Sequence, residues 1–203
     1  VGNIEVSPDK QKILFSLKSY DLKANSSSSD LYVIPTKGGK ITRLTTRKGN
    51  EYNALWRPDG QKIGFIATDD MGQHTVIFEM NTDGTGLKQI SRTPGNITGF
   101  KYFPTGDRIL FTKDVKLNLV NSRETDQDLP KSNARVIDDL MYRHWGSWDN
   151  GERSHIFFAK LDNGQFQGRG TDIMDAENFD SPLKPFGGME QITISPDGKT
   201  IAY

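Results

Sequence analysis

Three side chains that could form a hydrolytic triad stand close together in the sequence, at His144, Ser147 and Asp149. A nucleophile, a base and an orienting carboxylate act together only when they converge in space. Residues this close on one strand or turn rarely converge in that way. We therefore expect no catalytic residue in this chain.

Two histidines could instead bind a metal together with a pair of acidic residues. His144 and His155 follow the adjacent Asp138 and Asp139. Their spacing does not match that of zinc sites, and we expect these residues to bond the backbone or to pair with Arg143 and Arg153. The sequence therefore predicts no metal site and no cofactor.

The elements that would position these residues are β-hairpins that recur along the chain. Each hairpin has a turn of the Pro-Asp-Gly type, because proline restricts φ, aspartate bonds the local backbone and glycine accepts a positive φ. The residues that mark the turns are Pro8 and Asp9; Pro58, Asp59 and Gly60; Pro104 and Gly106; and Pro196, Asp197 and Gly198.

The residues around each turn have the pattern of two different strands. Apolar residues stand four and two positions before each proline, as at Ala54 and Trp56, which is typical of a strand with one buried face. After each proline comes a short apolar run that ends in an aromatic residue. Such a run suits an interior strand packed between neighbouring sheets.

The spacing of the prolines predicts the architecture. The intervals are 50, 46 and 92 residues, and since the last is twice 46, a degenerate turn is expected near residue 150. Residues 148–151, Trp-Asp-Asn-Gly, followed by the apolar run at 156–158, fit that place. A period of roughly 40–50 residues with four short strands per unit is typical of a β-propeller. We therefore predict an all-β chain, a β-propeller fragment of about four four-stranded blades plus the start of another.

The period also divides the chain into units. The predicted blades are 1–48, 49–93, 94–140, 141–186 and the incomplete 187–203, and the segment 121–131 interrupts the third with polar residues without period. The chain starts and ends inside a unit, so we expect it to be cut from a longer array. Open sheet edges would then invite edge-to-edge contacts or closure by a second copy.

Composition argues against several classes of partner. The 203 residues include 26 basic and 26 acidic side chains, so the formal net charge is zero. A net charge of zero argues against nucleic acid or an anionic membrane as the main partner. No run approaches the length of a membrane span, and the absence of cysteine excludes disulfides and thiolate chemistry.

Two further expectations concern the inside of the propeller. Glu51 and Glu190 stand near the starts of predicted inner strands, which line the channel of a propeller. We expect both carboxylates to face water there. Trp145 is expected to fill the space between blades.

The stretch around the two histidines carries a family likeness that extends over essentially the whole chain. Residues 138–145, Asp-Asp-Leu-Met-Tyr-Arg-His-Trp, and 151–157, Gly-Glu-Arg-Ser-His-Ile-Phe, resemble the propeller of prolyl oligopeptidase-family serine peptidases. The branch is that of the dipeptidyl-peptidase and acylaminoacyl-peptidase-like enzymes. The Pro-Asp-Gly repeats are shared with TolB-like propellers, so the Tyr-Arg-His-Trp stretch is the more specific part.

This resemblance implies that the chemistry lies in another domain. In that family the propeller caps an α/β-hydrolase domain, whose Ser-Asp-His triad has its serine in Gly-x-Ser-x-Gly. This sequence contains no Gly-x-Ser-x-Gly. We therefore expect a C-terminal α/β-hydrolase domain in the same polypeptide, peptides as substrates, and no activity in this chain alone. The alternative is a non-catalytic TolB-like propeller that binds a protein partner.

The resemblance also offers a role for Asp138 and Asp139. Dipeptidyl peptidases of this family hold the substrate's N-terminal ammonium with acidic propeller residues, usually an adjacent Glu pair, which this sequence lacks. The two aspartates would suit an ammonium at a desolvated cavity; a solvated loop or a capping role is the other interpretation. Relatives of this kind are often exported, so we expect a periplasmic or secreted protein, with a cytoplasmic one left open.

Overall fold

The computed structural model describes residues 1–118, 121–126, 128–137, 140 and 142–203, apart from the side chain of Thr125. The first two sheets have the same construction, with antiparallel strands in chain order joined by hairpins. The first consists of β1 (Gly2–Val6), β2 (Lys12–Asp21), β3 (Ser26–Pro35) and β4 (Thr42–Arg43). The second consists of β5 (Tyr52–Trp56), β6 (Lys62–Thr68), β7 (Thr75–Asn81) and β8 (Lys88–Gln89).

The third sheet takes its strands from both sides of a long insertion. It begins with β9 (Ile97–Tyr102) and β10 (Arg108–Lys116). The insertion contains α1 (Ser122–Thr125), β11 (Arg143–His144) and β12 (Ser147–Trp148). The sheet continues with β13 (Glu152–Asp162), β14 (Gln165–Phe166) and β15 (Thr171–Asp172), the last two pairing with β13. A 3-10 helix (Met189–Gln191) then leads into the hairpin of β16 (Thr193–Ile194) and β17 (Ile201–Ala202).

The pairing of β13 corrects the predicted division at residue 140. The apolar run at 156–158 is predicted to follow the first turn of a fourth blade, but it lies in β13, which pairs with β10 over nine residue pairs. β13 satisfies the backbone groups along the whole free edge of β10, so the doubled proline interval reflects an insertion. Within the described residues the chain thus forms three sheets of four or five strands, the two-stranded hairpin of the insertion and the two-stranded start of another sheet. The all-β, propeller-type architecture is confirmed.

The four turns share one hydrogen-bond geometry. In each turn the amide of the residue two positions after the proline donates to the carbonyl of the residue just before the proline, at 2.8 Å in every case. The donors are Lys10, Gly60, Gly106 and Gly198, with φ of +59°, +71°, +71° and +67°. The turn therefore requires a left-handed residue at this place, which glycine adopts most readily.

Apolar side chains fill the space between successive sheets. One buried cluster, with Leu14 and Phe65, lies between the first and second sheets, and a second, with Ile77 and Phe100, lies between the second and third. A third cluster, with Ile192, joins the third sheet to the last hairpin. β1 contacts β5, and β5 contacts β9. The sheets therefore stack in chain order around their first strands, as in a propeller.

Two asparagines link neighbouring sheets through their side-chain amides. Asn3 Oδ1 accepts from the Ala54 amide at 2.7 Å, and Asn3 Nδ2 donates to the Ala54 carbonyl at 2.6 Å. Asn53 makes the same pair of bonds with Phe100, at 2.8 and 3.4 Å. Both asparagines have φ near +50° (+48° and +49°) and lie where the register of the inner strands shifts. Each therefore combines a β-bulge with a link to the next sheet.

Within the described part of the chain, no helix has the length and hydrophobicity that a membrane span requires.

Candidate docking surface

The insertion leaves the third sheet at the end opposite to the Pro104 turn, where its two ends, residues 117–118 and 151, lie close together. The amides of Leu117 and Asn118 both donate to the Gly151 carbonyl, at 2.9 and 3.1 Å. Gly151 has a φ of +73°, and a Cβ there would lie 2.1 Å from the Asn118 carbonyl oxygen. Only glycine fits this close approach. The two hydrogen bonds to Gly151 therefore hold the ends of the insertion together at the edge of the sheet.

The first part of the insertion is tied to the end of β10. α1 has a capping box formed by Asn121 and Glu124, which satisfies amides at the start of the helical turn. Lys116, the last residue of β10, places its Nζ 3.2 Å from Glu124 Oε2. The helical turn is thereby held against the sheet.

The second part of the insertion is a small β-hairpin. Arg143 pairs with Trp148 across β11 and β12, and His144 pairs with Ser147. Trp145, in the turn, has a φ of +49°, and its carbonyl accepts a 2.8 Å bond from Arg143 Nε. The hairpin turn thus projects the Trp145 ring beyond both strands.

An ion pair anchors this hairpin to the third sheet. Asp149 accepts from Arg153 of β13 through both carboxylate oxygens, at 3.1 and 3.2 Å. These hydrogen bonds lower the pKa of Asp149. The Asp149 amide also donates to the Tyr142 carbonyl at 2.9 Å, which closes the base of the hairpin.

Four aromatic side chains on the hairpin and on the loop before the 3-10 helix face solvent. Trp145 and Phe186 pack edge to face, with ring centroids 5.6 Å apart, yet they remain 76% and 74% exposed. Tyr142 and Trp148 contact each other at 6.1 Å between centroids. We call Tyr142, Trp145, Trp148 and Phe186 the aromatic surface. By contrast, the phenylalanines between the sheets are buried.

Two guanidinium groups lie against the same surface. The Cζ atoms of Arg135 and Arg143 lie 5.5 and 5.1 Å from the centroid of Trp148, within the range of cation–π attraction. Tryptophan, tyrosine and arginine are the residues most enriched at the energetic centres of protein interfaces. The composition of the aromatic surface therefore suits the recognition of a protein segment.

A cavity of about 210 Å³ lies at the same end of the third sheet, lined by residues of β9, β10, β13 and the loop that carries Phe186. Lys184 crosses it, with its Nζ 2.9 Å from Asp114 Oδ1 and 3.6 Å from Asp180 Oδ1. Asp180 Oδ1 also accepts from the Ser154 amide at 2.7 Å. The charged groups at this cavity are thus already paired.

The candidate site residues that the structure describes have other contacts. Asp138 and Asp139 lie outside the described residues, so their substrate-binding role stays a prediction. Asp149 is held by Arg153, while the His144 ring packs against Trp145 and Phe186, at 5.0 and 6.1 Å between centroids. Within the described residues, no three His, Cys, Asp or Glu side chains are grouped as a metal site would need.

The other predicted histidine has a structural role. His155 is buried in β13; its Nδ1 lies 2.9 Å from an Asp172 carboxylate oxygen and its Nε2 lies 3.1 Å from the Glu177 carbonyl. Asp172 belongs to β15. The histidine therefore joins β13 to β15 and to the loop that follows β15.

Two expectations about single side chains are wrong. Trp145 does not fill space between blades, because the left-handed turn residue projects its ring into solvent. Glu51 does not face water: it is 2% exposed, in the connection between β4 and β5. The density of aromatic residues at 142–148, in an otherwise polar insertion, is the sequence signal that could have indicated the exposed surface.

Comparisons with known proteins identify the family. A family model described as the TolB beta propeller domain matches residues 3–170. The chain belongs to this family. As a TolB beta propeller domain it is also 35% identical over its whole length to dipeptidyl-peptidase 5 of Porphyromonas gingivalis, and 31% identical to that of Porphyromonas endodontalis. In both cases the chain spans 29% of the relative's length. The predicted resemblance to dipeptidyl-peptidase-like propellers is thereby confirmed.

Solved structures share the fold of this TolB beta propeller domain. TolB from Acinetobacter baumannii matches all of this chain and 37% of its own, with a TM-score of 0.60 and 16% identity. Pyrococcus horikoshii acylaminoacyl peptidase matches 84% of this chain and 24% of its own, with a TM-score of 0.61 and 13% identity. At these identities the likeness concerns the fold alone.

Proposed function

We propose that this chain is the propeller part of a dipeptidyl-peptidase-like serine exopeptidase, in which it limits the access of peptides to the active site. The observation that carries the proposal is the 35% identity to a dipeptidyl-peptidase 5 over the whole chain. Export to the periplasm or beyond the cell stays a prediction.

The chemistry then belongs to the rest of the polypeptide. The chain has no Gly-x-Ser-x-Gly, and it spans 29% of the length of these relatives, which leaves room for an α/β-hydrolase domain. A propeller that caps such a domain admits short or unfolded peptides and excludes folded proteins. The propeller thus selects substrates by their access to the active site rather than by the chemistry of the bond that is cleaved.

The aromatic surface is where we propose that the catalytic part, or a peptide entering it, makes contact. Two large side chains, Trp145 and Phe186, are about three-quarters exposed, and burying an aromatic ring of this size contributes about 1.5–3 kcal/mol. The neighbouring guanidinium groups give the contact a preferred charge, so it favours a carboxylate on the partner.

The first experiment separates the chain from the longer polypeptide. We expect the purified 203-residue chain to release no chromophore from dipeptidyl chromogenic substrates, and the longer polypeptide to release it in a reaction blocked by a serine-directed reagent. Hydrolysis by the isolated chain would contradict the proposal. So would a longer polypeptide that lacks serine-reagent-sensitive turnover.

A second experiment tests the aromatic surface in the longer polypeptide. We expect Trp145→Ala combined with Phe186→Ala to lower kcat/KM about tenfold, since truncating an interface anchor costs about 1–2 kcal/mol. Tyr20→Ala is the matched control, because Tyr20 is an exposed aromatic residue outside this surface. Equal effects of the two changes, at unchanged thermal stability, would refute the assignment of the surface.

The family match also supports a second candidate from another class. The model of the TolB beta propeller domain matches residues 3–170. The alternative is therefore a non-catalytic propeller that binds a protein partner. It predicts a longer gene product without a hydrolase region, and a partner whose binding is lost in the Trp145 and Phe186 double variant.

A further inference from the structure

The connections between successive sheets share one hydrogen-bonding pattern. In the first, Ser29 Oγ donates to the Glu51 carbonyl at 2.8 Å, and in the second, Thr75 Oγ1 donates to the Ile97 carbonyl at 2.8 Å. We call these two connections the first joint and the second joint. Glu51 and Ile97 are therefore equivalent positions, one with a carboxyl group and the other with an apolar side chain.

A second pair of bonds extends the equivalence. The Leu31 amide donates to Thr45 Oγ1 at 2.9 Å in the first joint, and the Ile77 amide donates to Ser91 Oγ at 2.9 Å in the second. The residue before each amide donor is Asp30 in the first joint and Val76 in the second. The first joint thus carries two carboxyl groups where the second has two aliphatic side chains.

Neither carboxyl group of the first joint is fully satisfied. Glu51 Oε2 accepts from Thr45 Oγ1, but the buried Glu51 Oε1 has no hydrogen-bond partner among the described residues. Asp30 Oδ2 is 2.7 Å from Arg43 Nη2, and the buried Asp30 Oδ1 likewise has no partner there. An ionised carboxylate without donors is costly to bury, whereas the neutral acid is much less so.

Two cations, Arg43 and Arg47, lie near the Glu51 carboxyl group. Arg43 bonds Asp30 and, through Nε, the Thr45 carbonyl at 2.9 Å. Arg47 Nη2 bonds the Thr68 carbonyl and Asp70, each at 3.0 Å, while the buried Arg47 Nε has no hydrogen-bond partner among the described residues. Tyr32 is a further ionisable group near Arg43. Burial raises the pKa of Glu51 to about 7, and the nearby Asp30 carboxylate adds to the rise. The hydrogen bond from Thr45 and the positive charge of Arg47 act in the opposite direction and do not cancel the rise.

We propose that Glu51 carries a proton in the closed first joint and that loss of this proton opens the joint between the first and second sheets. The second joint, with Ile97 and Val76, has no such group at these positions. The propeller therefore has one joint that responds to pH and an equivalent one that does not.

The direction of the response follows from the two states. In the open joint Glu51 titrates near its ordinary pKa of 4.5, and in the closed joint near 7. Between these values the closed state binds more protons, so rising pH favours opening. From pH 6 to pH 8 the opening equilibrium is expected to rise roughly tenfold.

Amide hydrogen exchange of the 203-residue chain tests the proposal. Exchange rates at pH 6 and pH 8 are divided by the intrinsic rates, which removes base catalysis. We expect protection of the Leu31 and Glu51 amides to fall about tenfold between the two pH values. Protection of the Ile77 amide in the second joint is expected to stay constant.

The control variants isolate the proton. Glu51→Gln keeps the acceptor for Thr45 and cannot ionise, so its Leu31 amide should lose the pH dependence. Asp30→Asn keeps an acceptor for Arg43 and removes the repelling charge, so its response between pH 6 and pH 8 should be smaller than tenfold. Equal protection at both pH values in the unmodified chain, or a full response in Glu51→Gln, would overturn the proposal.

Discussion

At the scale of single residues, Lys10 occupies a backbone conformation that the equivalent turns assign to glycine. Its φ is +59°, against +71° at Gly60 and Gly106. A residue with a Cβ destabilises the folded state by about 1–2 kcal/mol in this region. Glycine avoids this strain, but its greater conformational freedom stabilises the unfolded chain and offsets part of the gain. We expect Lys10→Gly to raise the free energy of unfolding by about 0.5–1 kcal/mol, measured by urea denaturation.

The control for this prediction is Lys10→Ala. Alanine removes the ammonium group but keeps the Cβ, so it should bring no comparable gain. If Lys10→Ala stabilised the chain as much as Lys10→Gly, the gain would come from the lost charge, and the argument from backbone strain would fail.

At the scale of the elements, the asparagine links between sheets can be tested without disturbing the backbone. Asn53 has a φ of +49°, so glycine can replace it without strain. The change removes both bonds to Phe100 and leaves a buried amide without a partner. We expect Asn53→Gly to lower the free energy of unfolding by about 1–3 kcal/mol in urea denaturation.

Asn163 is the matched control for this change. It has the same φ of +49°, but its side chain bonds the adjacent, exposed Asp162 at 3.1 Å. Asn163→Gly should therefore alter stability by only a few tenths of a kcal/mol. A similar loss in both variants would mean that the link to Phe100 adds nothing beyond a local turn preference.

The hairpins could be predicted from the sequence because their signals are local. Proline, aspartate and glycine at fixed offsets determine a turn, and alternation at Ala54 and Trp56 determines a buried face. Ala54 and Trp56 do lie in one strand, β5, and both are buried. The links made by Asn3 and Asn53 have no such signal, because their partners lie in the next sheet, 51 and 47 residues away.

The partner of β10 could not be predicted because strand pairing across an insertion is a long-range choice. The interval between Pro104 and Pro196 equals two periods, and this coincidence favoured an extra blade. The burial of Glu51 escaped prediction for a related reason. A carboxyl group near an inner strand usually faces the channel, and only the packed connection between two sheets reveals that this one does not.

At the scale of the whole molecule, the first sheet has one face that is exposed, although the equivalent face of the second sheet is buried. Ile4 and Val6 are 66% and 53% exposed, whereas Ala54 and Trp56, fifty positions later in the equivalent strand, are buried against the first sheet. Phe15, half-buried, stacks on Tyr32 on the same face, with centroids 5.7 Å apart. The first sheet therefore offers a blade-sized apolar surface shaped for another sheet.

We expect this face to drive self-association of the 203-residue chain, with a second copy packing on the first sheet. Glutamates at positions 4 and 6 (Ile4→Glu with Val6→Glu) would have to be desolvated in that contact, so the dissociation constant from sedimentation equilibrium should rise tenfold or more, which corresponds to about 1.4 kcal/mol or more. Leu22→Glu is the control, since Leu22 is a fully exposed residue of the β2–β3 turn, and it should leave association unchanged. If a further sheet of the longer polypeptide that we propose covers this face, the same two glutamates should lower the stability of that polypeptide instead. A chain that stays monomeric at all accessible concentrations would contradict the first expectation, and a longer polypeptide indifferent to both glutamates would contradict the second.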